Sequence, residues 1–208
     1  MKRSLVLVLL FVVVVTAGVL STEAVFAEPA NSVDLGFGGL PELMPHCRAN
    51  VYIVEYERML GSKIAVLARG GEVNYRFNNG KYVEEGRPKG IDFGVRYYPA
   101  VNGMKGLFFS GTLGWWKWDW RFTDDKDTSF ESRGNGDSKA VRADLDIGGR
   151  FPIGSSAVSI MPSLHLGKFF TSNSCEYTAP ASRVGTSCSK DTEIGYYAFL
   201  AVSVGIGF

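Results

Sequence analysis

Only two histidines occur in the chain, His46 and His165, and the second stands two residues after Ser163. In an extended strand that spacing puts both side chains on one face, in a row with Ser159 and Met161. A hydroxyl beside an imidazole is two thirds of a nucleophilic relay, which Asp144 or Asp146 would complete as a Ser-His-acid arrangement. No motif surrounds the pair. A histidine satisfied by ionic neighbours in a polar interior explains the same residues, so Ser163, His165 and Asp144 stand as candidates and none is assigned a catalytic role. Three cysteines are present. Cys175 and Cys188 flank twelve residues that include Pro180 and Gly185. A disulfide between them is the first choice for an exported chain, and closing a loop of that size is worth roughly 3 kcal/mol in the chain-entropy account. Pairing of Cys47 with either is the competing option. The three cysteines with His46 could supply four zinc ligands, but their spacing is irregular and no metal is assigned. Asp124, Asp125 and Asp127, with the turn Gly134-Asn135-Gly136-Asp137, lack the spaced ligands of a calcium loop. No phosphate-cradling loop or nucleotide signature occurs, and no cofactor is expected.

The charged residues carry more information than these isolated candidates. From Lys139 to Phe151, Arg142, Asp144, Asp146 and Arg150 alternate with Val141, Ala143, Leu145 and Ile147. Between Lys89 and Tyr98, Asp92 and Arg96 oppose Ile91, Phe93, Val95 and Tyr97. Alternation separates the two faces without saying which medium each one meets. A small closed barrel has a side-chain-filled interior, where opposite charges can pair across strands. The charged face is therefore read as inward and the apolar face as turned to hydrocarbon. The same assignment places Glu55, Glu57, Arg69 and Asp34 inside, giving four arginines against six carboxylates and a plugged lumen. An ion-selective or proton-gated pore is the functional alternative to a network that only fixes strand register.

Eight period-two segments can build such a barrel: 33–39, 48–59, 63–75, 89–98, 106–120, 139–151, 157–170 and 193–208. Short connections (60–62, 99–105, 152–156) alternate strictly with long ones (40–47, 76–88, 121–138, 171–192). That is the sorting of periplasmic turns and outer loops in bacterial outer-membrane barrels. The last segment sets Tyr196, Ala198, Leu200, Val202, Val204, Ile206 and Phe208 on one face and ends on that aromatic residue. Tyr97, Tyr98, Phe151 and Phe208 fall near one set of strand ends; Trp115, Trp116, Trp118, Trp120, Phe169 and Phe170 fall near the other. Rings at both levels are expected to form interfacial girdles. At the start of the chain, Lys2 and Arg3, the apolar run from Leu5 to Val15 and the small-residue pattern Val25-Phe26-Ala27 read as a secretory signal over residues 1–27. One domain, residues 28–208, follows. Its 20 basic and 20 acidic side chains make it formally neutral and point to no nucleic-acid partner.

Tyr56-Glu57-Arg58-Met59-Leu60 before a tight turn, Arg96-Tyr97-Tyr98 at a strand end, Gly106-Leu107-Phe108-Phe109 opening the next strand and the terminal Phe208 together resemble the small eight-stranded outer-membrane β-barrels of the OmpA/OmpX/OmpW-like group, closest to its opacity-like and uncharacterised members. The resemblance implies an all-β, eight-stranded antiparallel transmembrane β-barrel in a bacterial outer membrane. It further implies that Phe208 serves as the signal read by the barrel-assembly machinery. No peptidoglycan-binding domain is expected after Phe208. The partners implied are outer-membrane lipid, the assembly machinery and an extracellular ligand met by the outer loops. Such barrels include adhesins, envelope-stabilising proteins, narrow channels and a few lipid-modifying enzymes, so the fold leaves activity open. The expectation is a non-catalytic envelope or surface-interaction protein, with a narrow channel for small apolar solutes as the alternative and a lipid-modifying hydrolase third.

Overall fold

The computed structural model describes residues 29–39, 46–100, 103–125, 127–128, 131–178 and 194–208, the side chains of 172–178 and 194 excepted. The expected signal segment lies outside the described residues. Nine strand segments follow one another: β1 (Asn31–Gly39), β2 (Cys47–Met59), β3 (Ile64–Asn78), β4 (Val83–Gly86), β5 (Lys89–Tyr97), β6 (Gly106–Asp124), β7 (Ser132–Pro152), β8 (Val158–Thr178) and β9 (Ile194–Gly207). All pairings are antiparallel, and β1 pairs with both β2 and β9, which closes the sheet on itself. β4 and β5 lie end to end between the same neighbours, β3 and β6. Arg87-Pro88 interrupts them because proline has no N–H to give a ladder. The barrel is thus an eight-stranded antiparallel one, with one strand position built from two pieces.

Closure removes the free edges that an open sheet must protect. Asn31 and Phe208 seal the seam with reciprocal backbone hydrogen bonds, N–H to O of 3.0 and 2.8 Å. Gly154, at φ +59°, makes the tight turn between β7 and β8, a conformation that a side chain would strain.

The longest strands continue beyond their expected ends. All 19 residues of β6 have register partners on β7, so residues 121–138, expected as an outer loop, instead belong largely to the two arms of a hairpin. β4 likewise occupies part of the expected loop 76–88. Gly134 and Gly136 made this region look turn-rich. They stand in register with Phe122 and Trp120 on β6.

Along the lower strands, the apolar set faces out. Leu145 is 67 % exposed, Phe208 65 % and Trp115 64 %, and their rows continue through Leu35, Val54, Phe93 and Val204 around the barrel. A water-soluble monomer does not display so continuous an apolar band, whereas a chain spanning hydrocarbon must. The charged residues face in: Asp34, Glu57 and Asp92 are fully buried, with Arg69, Arg96, Arg142 and Arg150 beside them. This inside-out distribution defines a transmembrane barrel.

The filled lumen as candidate functional site

The interior is stacked in three layers. At the short-turn end Tyr98, Met104, Phe108 and Met161 pack with Met59 into an apolar plug. Above it lies the ionic layer. Arg96 Nη1 reaches Glu55 at 2.7 Å and Glu57 at 2.6 Å, and Arg150 Nη2 reaches Asp34 and Glu57, both at 2.9 Å. Arg69 links Glu55 at 2.8 Å, Asp146 at 2.5 Å and Asp144 at 3.2 Å. Arg142 binds Asp144 at 2.6 Å and Asp92 at 3.3 Å. The nine ionisable residues expected in the lumen, and Asp34, are all buried in this one network.

Aromatic rings form the third layer. Trp116 stacks under the Arg142 guanidinium, 4.7 Å from ring centre to Cζ, and its Nε1 donates to Asp92 at 2.7 Å. Phe169 then contacts Trp116, Trp118 and Tyr197. Higher still, Phe122 stacks against Trp120 and Tyr82 with centroids 5.7 and 5.9 Å apart. Trp116, Trp118, Trp120 and Phe169 therefore do not join an outer girdle as their positions suggested. They share the inward parity of Ser110 and Thr112, or of His165, and only Trp115 and Phe170 look outward. Tyr98 is corrected in the same way: it is fully buried, and its hydroxyl donates to Glu57 at 2.8 Å.

Inward glycines make space for these rings. A Cβ on Gly90 would stand 2.6 Å from Trp116 Cγ, and one on Gly167 would overlap the Tyr197 ring. That ring's hydroxyl also accepts a hydrogen bond from Arg142 Nε. Trp116 and Tyr197 are the positioning residues that the charge pattern missed. The signal that could have found them was strand parity: each shares a face with known inward residues.

The candidate relay does assemble. Ser163 Oγ lies 2.9 Å from His165 Nε2, and His165 Nδ1 lies 2.6 Å from Asp146 and 3.2 Å from Asp144. The connectivity is that of a Ser-His-Asp relay, with Asp146 at the shorter distance. Its surroundings are those of a core. Phe199 stacks on the imidazole at 4.4 Å and 7° between planes, Arg69 lies 3.5 Å from Nδ1, and both Ser163 and His165 are buried. An acyl carbon needs open space at the serine oxygen and donors for its developing oxyanion.

Two carboxylate-rich groups, Asp144-Asp146-His165 and Asp34-Glu55-Glu57, have ligand atoms close enough to hold a metal ion. In both, guanidinium groups already occupy the carboxylates: Arg69 in the first, Arg96 and Arg150 in the second. At the outer end of β2, Cys47 is half-buried and has no disulfide partner among the described residues. Burial, with Glu84 adding to it, pushes its thiol pKa up. The expected Cys175–Cys188 bond involves side chains outside the described residues.

No family model matches the sequence, and no curated protein does. Solved structures do match in shape. A major outer membrane protein from Thermus thermophilus superposes with a TM-score of 0.57 at 14% identity, covering 86% of this chain and 98% of that one. CarO from Acinetobacter baumannii gives 0.46 at 9% identity, over 86% and 98% of the two chains. The translocator domain of the autotransporter NalP from Neisseria meningitidis gives 0.47 at 9% identity and covers 84% of this chain, which spans 58% of that domain. The Thermus match agrees with the register and belt in assigning a small membrane-barrel fold. The finer OmpA/OmpX/OmpW-like grouping has no sequence match behind it.

Proposed function

We propose that this chain is exported under a signal peptide covering residues 1–27, folds into a bacterial outer membrane, and acts there as a non-catalytic envelope or surface-interaction protein of the OmpA/OmpX/OmpW-like kind. The observation that carries the reading is the combination of an apolar outer belt with a lumen that the described residues fill with an apolar plug, an ionic layer and an aromatic layer. Lipid explains the belt, and a lumen packed with ion pairs between two apolar layers supports a plug in preference to a channel. Phe208, aligned with the outward row of β9, would serve the assembly machinery. The outer loops would meet any extracellular ligand. In planar bilayers the purified protein should give no conductance steps, and Arg142→Ala should lower unfolding stability without opening a current. Discrete single-channel steps from the wild type would replace this reading with that of a narrow channel.

One observation favours a second reading, that of a lipid-modifying hydrolase: the 2.9 Å and 2.6 Å contacts through His165. It requires the wild type to release acyl chains from purified outer-membrane lipid and Ser163→Ala to lose that release. A wild type without hydrolysis eliminates it.

A further inference from the structure

Three lysines face outward at the upper rim of the apolar belt in direct register across neighbouring strands. Lys89 on β5 opposes Lys117 on β6, and Lys117 opposes Lys139 on β7. All three are exposed. Directly opposed residues on antiparallel strands have Cβ atoms about 4.5–5.5 Å apart, and like charges so placed repel. Within the chain, relief in direct register comes from Glu72 opposite Lys89; none of the three lysine side chains closes an ion pair or hydrogen bond among the described residues. Glu72, the other register partner of Lys89, accepts a hydrogen bond from Asn74. The other nearby carboxylates, Asp119 and Asp137, stand one outward position further from the membrane. Lys168 on β8 differs, because its ammonium group sits 5.0 Å over the Phe170 ring and 4.8 Å over Tyr196.

Beneath the three lysines runs a groove of about 720 Å³. Its floor is Ile91, Trp115, Val141 and Phe170, the uppermost apolar residues of the belt on these strands. A cationic rim over a hydrocarbon-level floor complements one kind of molecule, an amphiphile with an anionic head. We propose that Lys89, Lys117 and Lys139 bind the phosphate-bearing headgroup of an outer-leaflet lipid whose acyl chain lies along Trp115 and Ile91. The phosphate supplies counter-charge to Lys117 and Lys139, which have no carboxylate directly opposite them, and its several oxygens can accept from more than one ammonium group. Opposite this face, the outward residues of β1 and β2 at the upper belt are Phe37 and Tyr52, so the bound lipid occupies one side of the barrel.

The inference rests on the membrane reading, and the test keeps the two apart. Full-length protein is incorporated into phosphatidylcholine vesicles containing a minor fraction of phosphatidic acid, extracted in mild detergent, and weighed by native mass spectrometry. Wild type should retain phosphatidic acid at least tenfold over its share of the bilayer. The Lys89→Gln/Lys117→Gln/Lys139→Gln variant should lose that enrichment, and the corresponding Lys→Arg variant should keep it. A control with the same charge loss above the membrane, Arg48→Gln/Arg76→Gln/Lys81→Gln, should behave as wild type. Failure of wild type to enter vesicles would sink the membrane reading itself. Incorporation without enrichment, equal loss in the control, or displacement of the lipid by millimolar inorganic phosphate would overturn the lipid site alone. Heat-dependent gel mobility verifies folding of each variant, and Lys117→Gln alone, expected to cut enrichment severalfold, serves should the triple variant misfold.

Discussion

Along β7 the outward side chains run Arg133, Asn135, Asp137 and Lys139, then Val141, Ala143, Leu145 and Ile147, with no break in the strand and no slip against β6. The inward row of β6 changes in the opposite sense, from Trp120, Trp118 and Trp116 down to Thr112 and Ser110. The upper part of the barrel is thus built like a soluble protein, polar outside and aromatic inside. The lower part reverses the outer face to apolar and, above its apolar plug, fills the interior with ion pairs. Period two fixes only which residues share a face; the surrounding medium decides which face carries the apolar set. The boundary between the regimes, at Lys117 and Lys139, marks where the strands leave hydrocarbon.

The comparison is sharpest for a buried and an exposed arginine. Arg69 holds three carboxylates in the lower lumen, and removing one partner of a buried ionic cluster costs about 3–5 kcal/mol. Arg69→Ala should show that loss in urea unfolding of micelle-bound protein followed by tryptophan fluorescence. A loss no larger than that of an exposed ion pair would mean that water fills the lower lumen. The outer faces come next. Leu145→Arg puts a charge in the belt and should cost about 2–4 kcal/mol near the midplane. Asn135→Arg, on the same face of the same strand, should stay within about 0.5 kcal/mol. Equal costs would erase the proposed boundary.

The lower barrel was legible because two signals agreed there: strict alternation, and charged residues too dense to ignore on one face of it. Arg142, Asp144, Asp146 and Arg150 could be placed by parity alone. In the upper barrel the same parity held while the chemistry inverted. Residues 121–138, polar and glycine-containing, consequently looked like a loop, and the Trp115–Trp120 run looked like an interfacial belt. Val83–Gly86 was missed because four residues after a turn and before Arg87-Pro88 carry too little pattern. The β7–β8 hairpin brought Ser163, His165 and Asp146 together through the pairing of Asp146 with His165. The sequence could nominate that trio but could not set its distances.

The upper region also makes a test in pH. Tyr75 donates to Glu84 at 2.7 Å, and burial, reinforced by that carboxylate, raises its pKa. A group whose folded pKa is raised contributes stability that is fully present below the unfolded value, about 10 for tyrosine, and is lost as pH climbs beyond it. Limited proteolysis should therefore find the β3–β4 region protected at pH 8 and increasingly cleaved above pH 10. Tyr75→Phe should flatten that dependence while leaving the unfolding of the lower barrel unchanged. An unaltered pH profile in Tyr75→Phe would remove the tyrosine from the explanation.

The smallest effect is expected where the two arginine environments differ most. Arg121 pairs with Glu85 across β4 and β6, but its side chain is 76% exposed. Water screens such a pair, and holding two long side chains together costs entropy, so exposed pairs contribute about 0–1 kcal/mol. Arg121→Ala should shift the urea midpoint only slightly, and raising the salt concentration should shrink even that difference. Arg69→Ala should keep its full cost in the same salt, because its partners are out of reach of mobile ions. Equal salt sensitivity of the two variants would mean that ions enter the lower lumen, and the filled-barrel reading would fail with it.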